Sequence, residues 1–123
     1  TDTQATLDGE QGSASAGRAV GAGGDVDGDG FSDLLVGADG EDLTGTDRGA
    51  VYVVQGPVTG TLDLEDAYGR AVGAVDDDGA GWSLSGDADL DADGRSELLL
   101  GAPGESTNGA TAGAAALFLG SGW

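Results

Sequence analysis

The chain has 123 residues, enough for one small domain, and sets 23 acidic residues against 4 basic ones for a formal net charge of -19. That balance repels nucleic acid and anionic membrane surfaces and suits a cation-binding role, a high-salt habitat, or both. With no cysteine, histidine or methionine, it has no disulfides, no thiolate metal sites and no imidazole base, and no apolar run is long enough to span a bilayer.

Twenty-six glycines and 38% hydrophobic residues in short runs point to an all-β chain with many tight turns. The chain begins at Thr1 and reads as a mature, trimmed or excised product. Residues 4–10 (QATLDGE) open it with a short strand, and a second strand follows at 17–23 (GRAVGAG). An acidic loop at 25–33 leads into a strand at 33–38 (DLLVGA), whose continuous apolar run reads as buried on both faces. A strand at 49–55 (GAVYVVQ) ends in the turn GPVTG at 56–60. A short helical turn near 64–67 precedes a weaker strand at 67–74.

From Gly17 onward the chain then repeats itself at an offset of 64 residues (81 − 17), without an insertion. Strands are therefore expected at 81–87, 97–102 and 113–119, with a second acidic loop at 89–97. Gly40-Glu41 recurs as Gly104-Glu105, and Gly49-Ala50 as Gly113-Ala114. Extended backwards, the offset aligns residues 4–10 with 68–74. The chain thus starts with an orphan fourth-type strand, and its second unit stops after a third. This divides it into 1–65, a first unit with the orphan strand, and 66–123, a second unit lacking its outer strand. Open edges are an association hazard. Residues 4–10 of one subunit are therefore expected to pair beside residues 113–119 of the next; the alternative is a fragment of a longer array.

The loops carry the chemistry. D-x-D-x-D-G-x-x-[DE] occurs at Asp25, Asp27, Asp29, Asp33 and again at Asp89, Asp91, Asp93, Glu97. Alternate carboxylates in a tight loop can converge on one point, and glycine at the sixth position lets the backbone turn with positive φ. The carbonyl at the seventh position, Phe31 or Arg95, can face the same centre. Oxygen-only ligands, several of them charged, suit Ca²⁺, about two ions per chain; Mg²⁺ is a poorer fit. An EF-hand would need a bidentate glutamate at the twelfth position, where Val36 and Leu100 stand in apolar runs. The remaining possibility is a nine-residue loop inside a β-hairpin.

"GDVDGDGFSDLLVGA" and "DLDADGRSELLLGAP", followed by "GAVYVVQG" and "GAAALFLG", resemble FG-GAP repeats, the blades of the integrin alpha-subunit β-propeller and of related bacterial extracellular proteins. The resemblance implies four-stranded antiparallel blades with a Ca²⁺ loop between the first two strands. The implied ligands are Asp25, Asp27, Asp29, Asp33 and the Phe31 carbonyl, then Asp89, Asp91, Asp93, Glu97 and the Arg95 carbonyl. The chain departs from the pattern at the "FG" element, where Gly17-Arg18 and Gly81-Trp82 stand, and at Asp39, where "GAP" has proline. Glu97 is also longer than the usual aspartate. The family's propellers close within one chain. Two blades would close a ring only between copies, and a contact that fails to close gives a filament.

The expected function is a calcium-stabilised extracellular structural or adhesion module that self-assembles. A lectin-like propeller holding glycans through Trp82, Trp123, Tyr52 or Tyr68 is the alternative, with a glycan or protein ligand as partner. An enzyme is not expected: Ser13, Ser83 and Ser106 have no histidine or lysine to activate them. The clustered acids could in principle hydrolyse glycosides, but they serve better as metal ligands.

Overall fold

A computed structural model describes residues 4–123, so the first three residues of the 1–65 unit lie outside it. The strands are β1 (Ala5–Asp8), β2 (Ala19–Gly24), β3 (Asp33–Ala38), β4 (Ala50–Val54), β5 (Gly60–Asp63), β6 (Gly69–Val72), β7 (Ser83–Ala88), β8 (Glu97–Ala102) and β9 (Ala114–Phe118). Single 3-10 turns occupy Leu64–Asp66 and Gly120–Gly122. The chain is all-β, as expected.

The first sheet runs β2-β3-β4-β6 with every neighbour antiparallel, and the second runs β7-β8-β9 in the same sense. Both first hairpins carry a register shift beside the acidic loop, between Ala22 and Gly24 and between Ser85 and Ala88. Such bulges bend a strand and re-aim the residues beyond it. β6 belongs to the first sheet, so the boundary between sheets falls after Val72, later than the division at residue 65.

The N-terminal strand corrects the sequence reading. β1 is not an orphan: it pairs in parallel with β5, from Ala5↔Gly60 to Asp8↔Asp63. β5 itself stands where a turn and connection were expected. Four residues are too few to show a period of two, and the partner lies 55 positions away, so nothing local announces it.

Two apolar layers hold the molecule together. Alternation along the strands sends Leu35, Val51 and Val53 to one face of the first sheet, where they meet Leu98 and Leu100 of the second. Val36, Tyr52 and Val54 face the other way and are covered by Leu64, with Leu7 and Leu62 of the β1–β5 pair packed against them. β4 is therefore buried on both faces, which explains its unbroken run of apolar residues. The inner strands β2 and β7 lie side by side. A Cβ at Gly86 would sit 2.9 Å from the Gly23 Cα, so glycine is what permits that approach.

Candidate metal centres

The first loop winds around its own aspartates. Gly28 N–H donates to Asp25 Oδ1 at 2.7 Å and Gly30 N–H to Asp25 Oδ2 at 2.9 Å. Asp29 N–H donates to Asp27 Oδ1 at 3.0 Å, and Phe31 N–H to Asp29 Oδ1 at 2.8 Å. These bonds hold carboxylate oxygens of Asp25, Asp27 and Asp29 within 4.8 Å of one another. Asp33 stands outside that group. It is fully buried, its Oδ2 accepts from Val26 N–H at 2.9 Å, and its Oδ1 accepts from Gly56 N–H at 3.0 Å. Both oxygens thus tie the loop to the end of β4. Phe31 holds its N–H in the loop and turns its ring to solvent.

The second loop repeats the winding. Asp93 N–H donates to Asp89 Oδ1 at 3.1 Å, Gly94 N–H to Asp89 Oδ2 at 3.0 Å, and Arg95 N–H to Asp93 Oδ1 at 2.8 Å. Here the ninth position joins in: Asp89, Asp91, Asp93 and Glu97 all place an oxygen within 4.8 Å of the others. The extra methylene lets Glu97 reach where Asp33 does not. Glu97 is buried, one oxygen accepts from Leu90 N–H, and Oε1 has no partner. A buried carboxylate oxygen without a donor costs free energy comparable to a lost hydrogen bond. Three neighbouring carboxylates make it worse, and a hard cation would relieve both costs. An all-oxygen, highly charged donor set fits that demand.

Glycine sits at the sixth position of both loops with φ of 91°. At the fourth position Gly28 has φ of 82°, whereas its counterpart is Ala92 at 62°, in the left-handed region that favours glycine. Among the described residues, the ion pairs Arg48–Asp76 and Arg70–Glu10 lie away from both loops. Arg95 leans across to the first loop, with its Nε 3.3 Å from where a Cβ on Gly28 would be. The loops are also tied to each other, because Ser96 N–H donates to the Asp25 carbonyl at 2.8 Å.

Sequence reasoning missed two buried acids, Glu41 and Asp78; Asp78 Oδ2 accepts from Val75 N–H at 2.9 Å. Glu41 is fully buried and accepts from Tyr52 O–H at 3.0 Å, from Leu43 N–H at 2.8 Å, and from Gln11 Nε2. Burial first, and Glu41 second, push the Tyr52 hydroxyl well above the ordinary tyrosine range. The signal was present in the repeat: Glu105, one offset on, accepts from Thr107 N–H at 2.6 Å in the same kind of loop. Of the four candidate stacking aromatics, Tyr52 is buried and Trp123 packs against Phe118 with ring centres 5.6 Å apart. Trp82 is exposed beneath the Arg18 guanidinium at 4.0 Å and borders a cleft shared with Ser13, Ser15 and Asp47, whereas the exposed Tyr68 borders a separate one shared with Glu10, Leu64 and Arg70.

The model of the FG-GAP repeat matches residues 16–54 and 80–118, two spans that begin 64 residues apart (80 − 16) and enclose both loops. The chain is 36% identical over 89 residues to integrin alpha pat-2 of Caenorhabditis elegans, covering 70% of this chain and 7% of that protein. It is 38% identical over 106 residues to integrin alpha-M of Mus musculus, covering 82% of this chain and 9% of that protein. It therefore spans less than a tenth of these relatives. No helix among the described residues is long and apolar enough to cross a membrane.

Proposed function

We propose a function from one premise that the family match establishes: the chain belongs to the FG-GAP repeat family. Its integrin-like repeats form an extracellular adhesion-type module whose two propeller blades are each clipped by one calcium ion. The observation that carries this reading is the orphaned Glu97 Oε1 among Asp89, Asp91 and Asp93. Asp25, Asp27 and Asp29 would hold the first ion; the Phe31 carbonyl would add to the shell, and Asp33, whose oxygens already accept from Val26 and Gly56 N–H, would join it only by sharing an oxygen or turning inward. Asp89, Asp91, Asp93, Glu97 and the Arg95 carbonyl would hold the second. A bound ion supplies the positive charge each loop lacks. The residues do the rest: their Asx bonds wind the loop, and the Asp25–Ser96 bond passes the order of one loop to the other.

Self-assembly belongs to the same proposal, with residues 4–10 of one copy beside residues 113–119 of the next, in a ring or a filament. A glycan-binding role rests on Trp82 and Tyr68, since Tyr52 and Trp123 are occupied by packing. Isothermal titration of the chain with calcium tests the main reading. Two binding events per chain are expected, and a protein stripped by chelator that takes up no calcium overturns it.

A further inference from the structure

We infer that Arg95 makes the two candidate calcium sites unequal, because its backbone belongs to the second loop while its positive charge lies against the first. The inference rests on the calcium reading above and adds which site is the weaker and what weakens it.

Arg95 is fixed at several points along its length. Its N–H donates to Asp93 Oδ1 at 2.8 Å, inside the second loop. The next residue, Ser96, donates its N–H to the Asp25 carbonyl of the first loop at 2.8 Å. A Cβ on Gly120 would lie 2.7 Å from the Arg95 Cβ, so the stem of the side chain runs close to the backbone that follows β9. The guanidinium ends against Gly28, where a Cβ would meet its Nε at 3.3 Å, its Cζ at 3.4 Å and Nη2 at 3.5 Å. Gly28 stands between Asp27 and Asp29, two of the three carboxylates that converge in the first loop.

That charge is not neutralised by an ion pair. Among the described residues Arg48 pairs with Asp76 and Arg70 with Glu10, and Arg18 lies over the Trp82 ring, but Arg95 has no carboxylate within ion-pair distance. Its guanidinium faces the backbone of the first loop and opposes any cation that the loop takes up. The repeat supplies the comparison. The seventh position of the first loop is Phe31, an uncharged residue whose ring is exposed. No arginine from another segment leans on the second loop among the described residues.

The donor sets act in the same direction. The second loop gathers four carboxylates, with the orphaned Glu97 Oε1 among them, whereas the first gathers three, because Asp33 is held by Val26 and Gly56 N–H. Ligand charge is one of the quantities that set calcium affinity. The second loop therefore fills first and the first loop only at higher calcium. The gap between them widens as salt is lowered, since both causes are electrostatic.

The test is a calcium titration of the full chain followed by NMR through the amides of Gly30 and Gly94. These donate to Asp25 Oδ2 and Asp89 Oδ2, so each reports on one loop. In the unchanged protein Gly94 is expected to respond at lower calcium than Gly30. Arg95→Gln keeps the backbone and removes the charge; it is expected to tighten the first site roughly threefold at low salt and the second site by less. In molar salt, where the Debye length is about 3 Å, that gain is expected to vanish. Arg95→Lys keeps the charge and is expected to titrate like the unchanged protein. The inference is overturned if Arg95→Gln leaves the first site unchanged, weakens it, or tightens the second site as much. A gain that survives molar salt, or that Arg95→Lys reproduces, overturns it as well, because a purely structural effect of the side chain gives that result. If neither amide of the unchanged protein responds to calcium, the calcium reading itself fails and the inference falls with it.

Discussion

Stripping calcium from this protein is expected to lower its melting temperature by on the order of 15 °C at low salt. In the second loop four carboxylates within 4.8 Å make six like-charge pairs, and in the first loop three carboxylates make three. At that separation each pair costs about 0.9 kcal/mol in water, so the loops carry roughly 5 and 3 kcal/mol of repulsion. The unfolded chain keeps part of it, since alternate residues of an extended chain lie only about 7 Å apart. About 4 kcal/mol is left as the differential cost of folding without ions. Mass action gives the same order, about 2.7 kcal/mol per site at a hundredfold excess over Kd. For a chain of this size each kcal/mol moves the midpoint by about 4 °C. Calorimetry in millimolar calcium and in chelator, at matched ionic strength, measures the difference, and magnesium at equal concentration is expected to restore only part of it. Midpoints agreeing within about 2 °C would refute the reasoning.

Glu97→Gln is expected to weaken calcium at the second loop by roughly tenfold or more while leaving the first unchanged, so that one binding class shifts in a titration. Ala92→Gly relieves a left-handed alanine costing about 1–2 kcal/mol and returns about 0.5–1 kcal/mol to the unfolded chain, for a net gain up to about 1 kcal/mol in urea unfolding. Gly28→Ala is expected to lose about as much, with the Arg95 side chain forced to shift. Tyr52→Phe removes a donor from buried Glu41 and is expected to cost about 2 kcal/mol. Because folding raises the Tyr52 pKa, its contribution is full below the unfolded value near 10 and is lost as pH rises towards the folded value. Between those limits the unfolded chain binds fewer protons, so stability should fall by up to about 1.4 kcal/mol per pH unit, and Tyr52→Phe should flatten that slope in urea midpoints.

The offset of 64 made most of the architecture readable in advance. Strands at 33–38 and 97–102 appear with those bounds because a continuous apolar run ending in Gly-Ala marks a strand, but the burial expected on both faces is complete only in β4: Leu34 and Leu99 are exposed. The acidic loops were legible for the same reason: residue type, alternate spacing and the sixth-position glycine are all local. β5 was not, because its partner comes from the far end of the first unit. Nor was the burial of Glu41, although the repeat marks its position at Glu105: its donors Gln11 and Tyr52 come from two segments distant from it in the chain.

The ninth position of the loop shows where sequence stops. An acid at residues 33 and 97 is written in the chain, and so is its place at the start of a strand. Which of the two points into the carboxylate group depends on one methylene and on what else competes for the oxygens. Asp33 is taken by Val26 N–H and by Gly56 N–H, the latter delivered only when β4 closes against β3. Glu97 is left with a buried oxygen that has no protein donor. Sequence by itself determined the repeat, the strand-loop-strand unit and the donor atoms, because each is a matter of local spacing. Tertiary structure alone decided which apolar positions are covered and which carboxylates converge, because both depend on neighbours supplied by the opposite sheet and by distant strands.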